Sequence, residues 1–203
     1  MDRYTHWQQV YLGKSEDRVS WFQPRAATSL ALITQLGLPR DAPIIDVGGG
    51  ASRLVDGLLD AGYSQVSVLD VAPAALAKAH ARLGDRAARV GWIEGDVLEA
   101  TMTGAFRLWH DRAVFHFLTL EHDRTRYLQR LERHLQSGGA WIVATFARDG
   151  PAQCSGLPVV RYEPDELDLV AGSSLRRIAT RREVHVTPAG KVQTFYYCVY
   201  VRE

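Results

Sequence analysis

The sequence predicts an α/β domain in which a doubly wound, mostly parallel sheet is covered by helices on both faces and finished by an antiparallel hairpin. Three observations carry this. After residue 43, apolar runs of strand length alternate with longer helical stretches. Three consecutive glycines follow the first of those runs, and the last two β-rich runs are separated only by "TPAG". Strand, helix, strand repeated in this way implies right-handed crossovers and parallel pairing. A connection as short as the last one calls for an antiparallel pair.

The elements follow in order. An aromatic arm, "YTHWQQVYLGKSEDRVSWFQ", opens the chain, and a helix is expected from about Pro24 to Leu36. Ile44–Val47, Val66–Leu69, Val90–Ile93, Leu108 with its neighbours and Trp141–Phe146 read as short buried strands. Helical stretches lie between them: Ser52–Ala61, Pro73–Leu83 with proline in the first turn, and Glu121–Leu135 with Leu128, Leu131 and Leu135 on one stripe. Leu175–Val186 and Lys191–Glu203 form the closing hairpin.

A chain of 203 residues is long enough for one domain with a full core. Its 24 basic and 23 acidic residues nearly cancel, so the overall charge gives no footprint for nucleic acid or anionic membrane. The N-terminus lacks an apolar core of the signal-peptide type, and no run approaches the roughly 18 apolar residues of a membrane span. A cytoplasmic protein without membrane partners is expected. Cys154 and Cys198 stand apart with no C-x-x-C pair, which removes the usual zinc and redox signatures and leaves two reduced thiols as the simpler reading.

The glycine turn, "IIDVGGGASRLVDGLL", raises the question of its ligand. The dinucleotide fingerprint would use Gly48 and Gly50, but Arg53 stands where its third glycine belongs, the position that needs close helix-to-strand packing. Asp46, two residues before the first glycine, would repel a pyrophosphate and attract a ligand bearing sulfonium and ammonium groups. Asp70 ends the second strand, where a carboxylate can accept ribose hydroxyls, and Asp96 follows the third. Ligands of doubly wound sheets lie across the carboxyl ends of the strands, so these three carboxylates share one edge and favour a cationic ligand. Each taken singly could also cap a helix or turn.

With "DVGGG" (Asp46 to Gly50), Asp70, "EGDV" (Glu94 to Val97), "SGGAWIVATF" (Ser137 to Phe146) and the hairpin in place, the chain from about Pro43 onward resembles the class I S-adenosylmethionine-dependent methyltransferases. The resemblance implies a seven-stranded sheet with the last strand inserted antiparallel, and S-adenosyl-L-methionine as cofactor with S-adenosyl-L-homocysteine as product. It places Gly48 and Gly50 against the methionine part, Asp70 at the ribose, and Asp96 with Val97 at the adenine. The expected cofactor-binding set is Trp21, Asp46, Gly48, Gly49, Gly50, Asp70, Val71, Asp96, Val97 and Asp111. The arm resembles that of a subgroup that includes, more distantly, elongation-factor lysine methyltransferases, in which it folds over the cofactor. Trp7, Tyr11, Trp21 and Phe22 then have two readings: a lid that meets a sulfonium by cation–π attraction, or aromatic packing onto the sheet.

Methyl transfer is an in-line displacement that needs an acceptor held in place and, for some acceptors, a base. His110, Asp111 and His116 in "FRLWHDRAVFHFL" are the candidate bases, with Asp111 and His116 the expected catalytic pair. The competing reading of His116, beside phenylalanines, is a core residue. The loop Arg148–Tyr162 and the hairpin, with His185 and Gln193, are expected to shape the acceptor pocket, and Cys154 to be inert. No N-P-P-Y or D-P-P-Y follows the fourth strand, which leaves amide or adenine methylation through that motif without support. Asp111, Arg112, Ala113 and Val114 also depart from the acidic-lysine-glycine-threonine motif of the elongation-factor enzymes, and the cysteine set for arsenite methylation is incomplete. The expected protein is a metal-independent methyltransferase acting on N, O or S of a small molecule. Protein lysine methylation and non-catalytic binding of S-adenosylmethionine are the alternatives, and an NAD-dependent dehydrogenase is weakened by Asp46 and Arg53. Within one domain of residues 1–203, residues 1–37 are expected to form arm, helix and lid, 43–146 the cofactor core, and 147–203 the acceptor-side loop and hairpin.

Overall fold

The computed structural model describes residues 2–203. The arm is helical over Arg3–Gly13 (α1), where the Asp2 carboxylate caps the helix by accepting the Thr5 N–H. Helix α2 spans Ala27–Gln35 and starts later than Pro24, because the chain bends there and the Ala27 N–H bonds the Arg25 carbonyl. There follow β1 (Ile44–Val47), α3 (Leu54–Asp60), β2 (Val66–Asp70), α4 (Pro73–Leu83), β3 (Val90–Glu94) and β4 (Phe106–Arg112). Helix α3 is shorter than expected: the glycine turn continues through Ser52, whose hydroxyl accepts the Leu54 N–H. Next come α5 (Glu121–His134) and β5 (Leu135–Phe146), which begins six residues before the expected Trp141, then β6 (Gln153–Cys154) and β7 (Leu157–Pro158), a two-residue hairpin inside the expected loop. Helix α6 (Pro164–Ala171), β8 (Leu175–Val186) and β9 (Val192–Arg202) complete the chain.

The seven long strands form one sheet in the order β3-β2-β1-β4-β5-β9-β8, parallel from β3 to β5, with β9 inserted antiparallel between β5 and β8. The order reverses between β1 and β4, the crevice where ligands of such sheets bind. Because strand side chains alternate, each strand feeds two cores. Ile44, Leu108, Ile142 and Val199 pack beneath α2, α3 and α4, whereas Ile45, Trp109, Trp141 and Tyr200 pack against Tyr127 and Leu131 of α5 and Leu167 of α6. Asp46 pairs in register with His110, so both point to the first side. Asp111 necessarily points to the second.

Candidate active site

The glycine turn is held by the sheet itself. The Gly48 N–H bonds the Leu69 carbonyl at 2.7 Å, and Gly48 sits at φ 66, a left-handed conformation that favours glycine. A Cβ there would overlap the Val114 side chain, and one on Gly50 would overlap the Asp70 carboxylate. The turn therefore brings β2 and the segment after β4 close to the end of β1. Arg53 does not pack between helix and sheet. It turns toward the arm, pairs with Glu16 at 2.8 Å and lies over the Phe22 ring.

Two adjoining hollows lie over the strand ends, and Tyr11, Trp21, Gly48 and Arg112 are walls of both. The first is bounded by Leu69, Asp70, Val71, Asp96 and Val97 from the sheet side, by Arg3 and Trp7 from the arm, and by Ala113, Val114, Phe117 and Leu118 after β4. The second is bounded by Asp46, Gly49, Ser52, Arg53 and His110, and by Glu16, Phe22 and Gln23 of the arm. Trp21, Asp46, Gly48, Gly49, Asp70, Val71, Asp96 and Val97 of the expected binding set thus meet around one space. Gly50 is not a wall, and its role is to make room for Asp70.

The three carboxylates differ in state. Burial pushes the Asp70 carboxyl up to about 7, with the charge of Asp46 adding to the rise and the Ala72 N–H opposing it. Asp96 accepts the Leu98 N–H at 2.8 Å through Oδ1, while Oδ2 pairs with Arg3 at 3.1 Å. Arg3 also pairs with Asp123, so the start of α1 is fastened beside the expected adenine position. Asp46 Oδ1 accepts a hydrogen bond from His110 Nδ1 at 2.7 Å, and the buried Oδ2 has no partner among the described residues.

The arm lies across these hollows. Trp7 packs edge-on against Trp21 and Phe117, and Trp21 Nε1 donates to the Tyr11 hydroxyl at 3.2 Å. Three contacts fasten the following segment: His185 Nε2 to the Ser20 carbonyl at 2.7 Å, Gln23 to Glu183 at 3.0 Å, and Arg112 to the Trp21 carbonyl at 3.2 Å. Trp7, Tyr11 and Trp21 pack on one another and line the hollows as well.

The expected catalytic pair is corrected by the geometry. Asp111 is fully buried and accepts hydrogen bonds from the Val114 and Phe115 N–H groups and from the Tyr127 hydroxyl, at 2.6 Å for the last. Burial pushes its carboxyl up to about 6 against those bonds. It shapes the turn after β4 and is a wall of neither hollow, which also removes it from the cofactor set. His116 is fully buried against Phe117 and Phe146, both ring nitrogens lack partners, and burial, with the nearby Arg112 charge, lowers it to about 3. A ring in that state is a core residue. His110 has both nitrogens engaged, by Asp46 and by Ser29. His185 ties the hairpin to the arm, Gln193 is buried, and neither is a wall of the two hollows. Cys154 is buried and its thiol is pushed up to about 11, away from nucleophilic use. The sequence reading did not single out Arg3, Phe117, Leu118 or Glu183 as site residues.

This arrangement, a glycine turn at the switch point with acidic strand ends and no third glycine, departs from a dinucleotide site and is the one the resemblance to class I methyltransferases leads one to expect. A family model described as "Methyltransferase domain" matches residues 44–139. That match runs from β1 through α5 and so takes in the glycine turn and the acidic strand ends. Among relatives, an eEF1A lysine and N-terminal methyltransferase of Danio rerio is 24% identical over 151 residues, covering 71% of this chain. The chain spans only 21% of that protein's length. Among solved structures, a methyltransferase of Anabaena variabilis is 16% identical with a TM-score of 0.77, over 100% of this chain and 96% of the other. The N-methyltransferase NodS of Bradyrhizobium japonicum, solved with S-adenosyl-L-homocysteine, is 17% identical with a TM-score of 0.75, over 99% of each chain. At these identities the two structures speak for the fold.

Proposed function

We propose that the chain binds S-adenosylmethionine across the ends of β1, β2 and β3 and transfers its methyl group to an N, O or S atom of a small molecule. The observation that carries the reading is the buried, unpartnered Asp46 Oδ2 in a hollow that continues past Gly48 to Asp70 and Asp96. The cofactor supplies a methyl group on a cationic sulfur. Asp46 would face its ammonium, Gly48 and Gly49 its methionine chain, Asp70 the ribose hydroxyls, and Asp96 with Val97 the adenine. Trp7, Trp21, Phe117 and Arg112 then border the place where an acceptor meets the methyl group.

With Asp111 and His116 committed elsewhere, the contribution of the chain is to hold the acceptor in line and exclude water. The arm, fastened to the hairpin through Ser20 and Gln23, supports a small acceptor, because it narrows the approach to the strand ends. A protein lysine is the second reading. The Danio rerio relative favours it, and it requires the segment 19–23 to lift. No helix among the described residues is long and apolar enough to cross a membrane, and two free, buried cysteines fit a cytoplasmic setting.

Calorimetric titration with S-adenosylmethionine and with NAD tests the cofactor. Binding of NAD alone would overturn the assignment. Transfer of labelled methyl groups from S-adenosylmethionine into metabolite pools supports the small-molecule acceptor, whereas label confined to protein fractions shifts the reading to lysine.

A further inference from the structure

We infer that His110 is a positioning residue for the methionine end of the cofactor, acting through Asp46 and held from its other ring nitrogen by Ser29. The inference rests on the cofactor reading above and adds to it two side chains, His110 of β4 and Ser29 of α2. Parallel register sets Asp46 of β1 opposite His110 of β4, and His110 Nδ1 lies 2.7 Å from Asp46 Oδ1. His110 Nε2 lies 2.9 Å from the Ser29 hydroxyl of α2. Asp46, His110 and Ser29 are each at most 2% exposed, so water does not replace these bonds.

The direction of the bond to Asp46 follows from the groups available: a carboxylate can only accept, so His110 Nδ1–H donates to Asp46 Oδ1. With Nδ1 engaged by Asp46 and Nε2 by the Ser29 hydroxyl, the ring has no free nitrogen to act as a base. The pairing also fixes the Asp46 plane, because one oxygen is held by His110 while the other has no partner among the described residues.

That bare oxygen is what an ammonium group would find. Asp46 and His110 are both walls of the second hollow, so the carboxylate and the ring that orients it border the same space.

The test separates the methionine end from the adenosine end with two probes: S-adenosyl-L-homocysteine, which carries the amino-acid group, and 5′-methylthioadenosine, which lacks it. Titration of the whole chain should show tighter binding of S-adenosyl-L-homocysteine. In His110→Phe that ligand should lose about tenfold or more in affinity, the scale of a hydrogen bond to a charged group, while 5′-methylthioadenosine stays within about twofold. His110→Asn, whose amide can still donate to Asp46, should recover most of the loss. Ser29→Ala should move the two probes in the same pattern as His110→Phe but less far, which keeps the test open if the latter fails to fold. Equal losses for both probes, or none for either, would overturn the positioning role while leaving the cofactor assignment standing. Failure of the native chain to bind S-adenosyl-L-homocysteine would overturn both.

Discussion

Replacing His116 by phenylalanine should stabilise the protein, and more so in mild acid. His116 is fully buried with two unpartnered nitrogens, and burial lowers it from 6.5 to about 3. A base whose folded-state value is depressed gives stability that is complete above the unfolded value and is lost as pH falls through the window between the two. That window runs from 6.5 down to about 3. At about 1.4 kcal/mol per unit, the native chain should lose roughly 2 kcal/mol between pH 8 and pH 5, and about 5 kcal/mol by pH 3. Asp70 and Asp111, both raised, tilt the curve the other way, but they are common to both proteins and cancel in the difference. The phenylalanine ring is of similar size and would join Phe117 and Phe146. Urea titrations of both proteins at pH 8 and pH 5 give the comparison. The variant should be at least as stable at pH 8, with a margin wider by about 2 kcal/mol at pH 5, equivalent to about 4–8 °C in Tm for a chain of this size. A margin that does not change with pH, or a variant that is less stable at both, would refute the account of His116 as an unpaired core ring and reopen a role in catalysis.

Asp111→Ala should cost about 3 kcal/mol or more, since it strands two backbone N–H groups and the Tyr127 hydroxyl in the core; an unchanged melting point would contradict this. For Asp70, raised to about 7, the carboxyl is protonated below that value and becomes a full acceptor above it. Affinity for S-adenosyl-L-homocysteine should therefore rise between pH 6 and pH 8, and the rise should vanish in Asp70→Asn; a slope that survives in the variant assigns it to another group. Without ligand the same raised value works against stability as pH climbs, so the ligand-induced gain in Tm should be larger at pH 8. Arg3→Ala removes both pairs that hold the start of α1, each partly exposed and together worth about 1 kcal/mol or less, so melting should change little. Protease cleavage within residues 2–22 should quicken, and ligand should slow it in the native chain. Cleavage rates indifferent to ligand would identify the arm as fixed packing and not a lid.

The parts of this protein that could be read from its sequence are those fixed by neighbours in the chain. The strands Ile44–Val47 and Val66–Asp70, the glycine turn and the hairpin all carry local signals, and the structure has them within a residue or two. Helix α6 also carried such signals, with Pro164 at its first turn, the Glu163 and Glu166 capping box and Gly172 beyond its end, but its residues were absorbed into a loop-and-hairpin reading. The early start of β5 had no signal of its own. Leu135 to Gly139 contains two glycines and pairs only because β4 runs alongside.

The failure at Asp111 has a different cause, and parity explains it. Position at the end of a strand says how far along the sheet a residue lies, but the face it presents depends on whether its number is odd or even relative to its partners. The Asp46 side chain faces the first layer, and its register partner is His110, so His110 and Arg112 share that face and Asp111 is turned toward α5. The register could not be read from β1 and β4 separately, since a shift of one residue exchanges the two sets. Once it is known, residues at the ends of strands divide into those that reach the crevice and those that shape its floor. Arg112 then stands where the acceptor-side residue was sought in Asp111, and it is held there by Tyr197, Trp21 and Glu183, which lie 85, 91 and 71 residues away. Contacts across such separations form only when the arm and the hairpin have both docked. The residues proposed to hold the cofactor, Asp46 to Val97, are therefore written in one continuous stretch of sequence, while the surroundings of Arg112 exist only in the folded chain.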